Sequence, residues 1–143
     1  MVLSDAPKEE IDRAVEKGEV KADDLVVHQQ DIQAVVNALW TGGAEAMTLQ
    51  KQRVISTTGI KCVGNTVVLH GVPYAPPYEI TAIGDVASLQ LSLDASDYVA
   101  GYRTYVDAHN LGYEVSTDDD VTMPAYDGTS VLRYAKAGPA GDN

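Results

Sequence analysis

A chain of 143 residues, 45% apolar and 22% charged, has the size and composition of one globular domain able to bury a core. Its formal net charge of −11, from 21 acidic against 10 basic residues, repels phosphate backbones and anionic headgroups, and the basic residues do not cluster, so no nucleic-acid partner is expected. The single cysteine, Cys62, rules out an intrachain disulfide, and no apolar run approaches the roughly 20 residues that span a bilayer.

Residues 1–24 read as the end of a strand, Val2 to Pro7, followed by a highly charged stretch. There Ile11, Ala14 and Val15 form an apolar stripe too thin to pack firmly, which predicts a weak helix or a mobile loop. Residues 25–134 read as one α+β domain. Asp31 is the expected N-cap of a helix whose apolar face is Ile32, Val35, Val36 and Leu39, ended by the pair Gly42-Gly43.

Ala44 to Leu49 then reads as a strand and Gln50 to Gln52 as a turn. Arg53 to Thr58 and Asn65 to His70 read as strands bracketing a loop at Gly59 to Gly64. The proline-rich run His70 to Pro77 reads as a rigid connector, and Tyr78 to Ile83 alternates as a strand does. Asp85 caps the next helix, with Val86, Leu89 and Leu93 inward.

A second helix is expected from about Ser96 to Asn110, with Tyr98, Tyr102, Tyr105, Val106 and His109 sharing a face. Tyr113 to Thr117 and Val121 to Met123 read as short strands, and residues 135–143 as a disordered tail. The order of elements predicts a mostly antiparallel sheet with helices on one face. A ferredoxin-like (split βαβ) arrangement elaborated by an inserted hairpin at 53–70 is the expected form.

Few residues carry a chemical signal. Cys62 is flanked by Gly59 and Gly64 and follows Lys61, an arrangement that can activate a thiol, but free cysteine is most often buried and structural. His28, His70 and His109 lack metal-ligand spacing, and Asp118-Asp119-Asp120 lacks the alternation, glycine and distal glutamate of a calcium loop. Asp94 and Asp97 read as capping groups. No GxSxG, phosphate-binding or dinucleotide-binding glycine motif is present, so no cofactor and no metal are expected.

The remaining candidates are aromatic. Trp40 sits one residue beyond Leu39, where its ring packs at the edge of the apolar face or forms an interface anchor. Tyr74 and Tyr78 flank Pro76-Pro77, which stiffens the chain or presents a ridge to a partner. Tyr98, Tyr102 and Tyr105 make a tyrosine stripe suited to partial exposure and protein contact.

Five segments in order, LSDAP, DIQAVVNALWTGGAEAM, QRVISTTGIKCVGNTVVLHG, APPYEITAIGD and VTMPAY, resemble the bacterial family named for domain of unknown function 881. The NALW…GAEA and PPY…AIGD segments are the most specific, and the likeness covers roughly residues 2–126. Members are sometimes labelled division initiation proteins. The resemblance implies a longer protein with an N-terminal membrane-spanning helix, often a coiled coil, and this domain outside the cytoplasm. It also implies a strand ahead of LSDAP and a glycine-rich stretch before that, neither of which has a counterpart here, so the chain reads as a shortened member without its anchor. It implies no catalytic residue.

The expected function is a non-enzymatic scaffold or protein-binding module of a membrane-anchored envelope protein, with a link to cell division. Envelope or division proteins, or further copies of the chain pairing at an open strand edge, are the expected partners. The alternative is a small-molecule-binding or hydrolytic domain with a pocket near Cys62.

Overall fold

Short apolar segments separated by turns pair here into two antiparallel sheets. In the computed structural model, which describes residues 1–18, 20–64 and 66–128, the chain starts with strand β1 (Val2–Ser4) and helix α1 (Lys8–Lys17). A 3-10 turn (Ala22–Leu25) leads to helix α2 (Gln29–Thr41). Six strands follow: β2 (Ala46–Leu49), β3 (Gln52–Val54), β4 (Ile60–Val63), β5 (Thr66–Leu69), β6 (Val72–Tyr74) and β7 (Tyr78–Ile83). Helices α3 (Val86–Asp94) and α4 (Asp97–His109) and strand β8 (Gly112–Glu114) complete the order.

Among the described residues one sheet runs β3-β2-β7-β1-β8 and the other β4-β5-β6. Register explains the core. Leu3 lies opposite Tyr78, and Leu49 opposite Ile80, and all four are buried. Alternation puts them on the same side of the first sheet. They share one core with Ile32, Val35, Val36 and Leu39 of α2, Leu89 and Leu93 of α3, and Val99 and Tyr102 of α4. Strand β2 is buried at every position, Thr48 included. Helix α1 differs: none of its side chains is buried, and Asn110 just past α4 reaches it with a hydrogen bond to Glu10 of 3.0 Å.

The α+β class and the antiparallel pairing agree with the sequence reading, as do β7, the Asp85 cap of α3 and the extent of α4. Asp85 accepts from the Ser88 N–H at 2.8 Å, and the Ser88 hydroxyl together with that N–H holds its carboxyl below the usual range. Several details differ. Helix α2 begins two residues before Asp31: His28 is the N-cap, and Asp31 sits in the first turn accepting the His28 N–H at 2.8 Å. The two glycines after α2 serve different needs. Gly43 has φ +86°, whereas Gly42 has an ordinary φ of −72° and is glycine because a Cβ there would lie 2.8 Å from Ser92 Cβ.

The largest correction is the second sheet. The expected loop at Gly59 to Gly64 contains β4, and the expected rigid connector contains β6, so the inserted hairpin is a three-stranded meander. Proline is tolerated in β6 because that strand is an edge. Beyond Val54 the chain turns instead of extending, with the Thr58 hydroxyl accepting the Ile55 N–H at 2.9 Å. Strand β8 stops at Glu114, and Val121 to Met123 is irregular. Ser96 rather than Asp94 or Asp97 caps α4, and Asp94 instead pairs with Arg103 at 3.0 Å. Asn65 and the tail at 135–143 lie outside the described residues.

Candidate functional site

The tyrosine stripe does not form one surface. A residue at 98, 102 or 105 is carried round α4 until Tyr102 points into the core, while Tyr98 is 83% exposed and Tyr105 49%. The Tyr102 hydroxyl donates to the Gly112 carbonyl at 3.0 Å, tying α4 to β8, and burial pushes its pKa up. Tyr105 stands beside His109, with ring centroids 5.7 Å apart.

The proline-flanking pair also divides. Tyr78 is 1% exposed, a core residue, and burial pushes its pKa up to about 12. Tyr74 is half-buried, and its hydroxyl accepts from Gln52 Nε2 at 2.9 Å. Trp40 is half-buried against the core, in keeping with a packing anchor.

Cys62 is exposed, against the expectation of a buried thiol, because β4 carries Lys61, Cys62 and Val63 on the outer edge of the second sheet. Gln29, the first residue of α2, grips it twice. The Gln29 N–H donates to Cys62 Sγ at 3.1 Å, and the Cys62 N–H donates to Gln29 Oε1 at 3.0 Å. A hollow of about 420 Å³ beside the thiol is also lined by His28, Asp23 and Tyr78. His28 Nε2 lies 2.7 Å from the Asp23 carbonyl oxygen, so that nitrogen carries the proton and donates away from the thiol. The hollow thus brings a thiol and an imidazole together without the hydrogen-bonded nucleophile–base pair that thiol catalysis uses. Among the described residues no group of three or more His, Cys, Asp or Glu side chains could hold a metal ion.

A second concavity lies on the helical layer. Ala34, Asn37 and Thr41 of α2 face Ser92 and Ala95 at the end of α3 and Tyr98 of α4 across a groove of about 500 Å³. No Asp, Glu, Lys or Arg lines it, in a chain of net charge −11. Small side chains let the helices approach: the Ser92 hydroxyl donates to the Ala38 carbonyl at 2.6 Å, across the contact that also requires Gly42. Leu91, on the adjoining turn of α3, is 70% exposed. Sequence reasoning singled out Tyr98 here and missed Leu91 and the groove, which is built from small polar positions without periodic signal.

No helix among the described residues is long and apolar enough to cross a membrane. Of relatives with known sequences, UPF0749 protein Rv1823 of Mycobacterium tuberculosis is 29% identical over 85% of the chain, and that match covers 39% of the relative. UPF0749 protein YlxW of Bacillus subtilis is 39% identical over 48% of the chain and 30% of its own length. The chain therefore matches well under half the length of either. A crystal structure of an uncharacterized conserved protein from Mycobacterium tuberculosis superposes with a TM-score of 0.62 at 24% identity, covering 80% of this chain and 81% of that one, which establishes likeness of fold. The pattern of the bacterial proteins of unknown function DUF881 matches residues 1–136, and the chain belongs to that family.

Proposed function

We propose that this chain is the extracytoplasmic, non-enzymatic scaffold or protein-binding part of a membrane-anchored bacterial envelope protein linked to cell division. The observation that carries the binding role is the uncharged groove between α2 and the α3–α4 junction, lined by the exposed Tyr98. Interface cores are depleted in charge and enriched in tyrosine, and on so acidic a surface an uncharged concavity with an aromatic rim is the place a protein partner desolvates at least cost. The anchor and the division link rest on the family resemblance. The strand order β2-β7-β1-β8, with α2 between β1 and β2 and α3–α4 between β7 and β8, supports the ferredoxin-like reading, with β3 to β6 as its insertion.

A photo-cross-linking residue placed at Tyr98 in the full chain, in living bacteria, tests this reading. The expected result is an adduct with a defined envelope or division protein, absent when the same residue replaces Lys51 on the β2–β3 turn. Equal labelling at both positions overturns it.

A second reading, a small-molecule site, is favoured by one observation: the exposed Cys62 thiol and His28 share the same hollow. Substrate-like protection of Cys62 from alkylation by a screened metabolite set supports it, and an unchanged alkylation rate across the set removes it.

A further inference from the structure

Helix α2 turns an uncharged face to solvent. Of its 13 residues only Asp31 is charged, and that carboxylate accepts the His28 N–H at 2.8 Å. Gln30, Asn37 and Thr41 are its exposed positions along the helical groove. Helix α3, packed beside it, carries a single charge at Asp94, which pairs with Arg103 at 3.0 Å. The outward face of a surface helix is ordinarily charged. Two neighbouring helices here lack that charge, in a chain of net charge −11.

A knob and a hole lie together on this face. Tyr98 stands 83% exposed at one wall of the groove, while Ala34 of α2 and Ala95 keep the hollow of about 500 Å³ open to a ring from outside. Gln33 Nε2 donates to Asn37 Oδ1 at 2.9 Å and so fixes the Asn37 amide. Asn37 Nδ2 is then a donor that meets no acceptor among the described residues. A phenol ring arriving there finds small apolar side chains for its body and an amide donor for its hydroxyl.

We infer that this face joins two copies of the chain in an isologous dimer, with Tyr98 of each copy seated in the groove of the other. A two-fold axis running between Tyr98 and α2 satisfies the knob and the hole twice over. Charge selects a second copy as the occupant. Two chains of net charge −11 repel one another, and the face without charge is where they approach at least cost. Helices of 13 and 9 residues, about 20 and 14 Å long and about 8–10 Å apart, make a patch at the small end of interfaces that bury roughly 800 Å² per partner. The dimer is therefore reversible, with a micromolar Kd. The inference rests on the protein-binding reading of the same groove and names its partner.

Sedimentation equilibrium of the whole chain, from about 1 μM to about 1 mM, is the test. A monomer–dimer equilibrium is expected, tightening about threefold or more between about 0.05 and about 0.5 M salt as screening relieves the repulsion of two acidic chains. Asn37→Glu, at an exposed position, weakens association at least about tenfold. Mixing Asn37→Glu with Asn37→Lys restores a dimer, because opposite charges then flank the axis, a recovery that a misfolded variant does not give. A single chain throughout, association untouched by Asn37→Glu, no recovery in the mixture, or association that weakens with salt overturns the inference. A single chain whose Tyr98 still cross-links to a different protein in cells does so while leaving the protein-binding reading in place. A single chain without any adduct specific to Tyr98 removes both.

Discussion

Gln29 and Cys62 hold each other by two hydrogen bonds, from the Gln29 N–H to Sγ and from the Cys62 N–H to Gln29 Oε1. They join the first turn of α2 to the outer strand of the second sheet. Gln29→Ala removes the side-chain bond and is expected to destabilise the protein by about 1 kcal/mol, a typical net hydrogen-bond contribution. Denaturant midpoints of the two proteins check this. Alkylation of Cys62 proceeds in the native state because the thiol is exposed, and it is faster in Gln29→Ala, where β4 is less firmly held. Equal alkylation rates in the two proteins would show that Gln29 does not hold β4.

The two glycines after α2 separate in the same assay. Gly42→Ala drives a Cβ against Ser92 Cβ and the Ser88 carbonyl, at 2.8 and 3.0 Å, and is expected to cost about 1–3 kcal/mol. Ser92→Gly in the same chain recovers part of that loss. Gly43→Ala meets nothing within 4 Å, so its cost of about 1 kcal/mol comes from φ +86° alone and is indifferent to Ser92.

Alkaline pH is expected to loosen the core through its tyrosines. Tyr78 is pushed up to about 12 from an ordinary 10.0, first by burial and then by Asp5, and Tyr102 is also raised, first by burial. A raised pKa means that the folded state holds its proton longer than the unfolded chain. The stabilisation is therefore complete below about pH 10 and is lost as pH climbs through the folded pKa. Unfolding midpoints measured at about pH 9 and about pH 11 should fall more steeply for the parent than for Tyr78→Phe, which has no proton to lose. Parallel slopes would contradict the assignment.

Tyr98→Ser removes the aromatic wall of the helical groove without touching the core. The melting temperature is expected to stay within about 2 °C, as for surface substitutions generally, while partner recovery falls at least tenfold. Calorimetry beside quantitative co-purification separates the two effects.

The parts of the fold that were readable in the sequence are those in which one side of an element is buried. Helix α2 shows its stripe of Ile32, Val35, Val36 and Leu39, and β7 alternates Tyr78 and Ile80 against Glu79 and Thr81. The second sheet was not readable. Strand β4 buries only Ile60, β6 buries none of its residues, and Gly64, Pro73 and Gly71 punctuate both as turns do. Tyr98 was found through its residue type, but its separation from Tyr102 depends on how α4 is rotated, which a tyrosine at every third or fourth position leaves open. Leu91 reads in sequence as one more apolar helix residue, and only the packing of Leu89 and Leu93 turns it outward.

Helix α1 has a consequence for how the molecule comes apart. A ten-residue helix whose apolar Ile11 and Ala14 are only half-buried has a weak hydrophobic hold on the rest, and a helix of that length is marginal alone. Its amides are governed by the Lys8–Asp12 pair and the Glu10–Asn110 bond, both at the surface. Salt and modest warming are then expected to undo α1 while the sheets and α2 hold, giving two thresholds of unfolding, the lower one set by surface contacts and the upper one by packing, which amide exchange at raised salt would resolve.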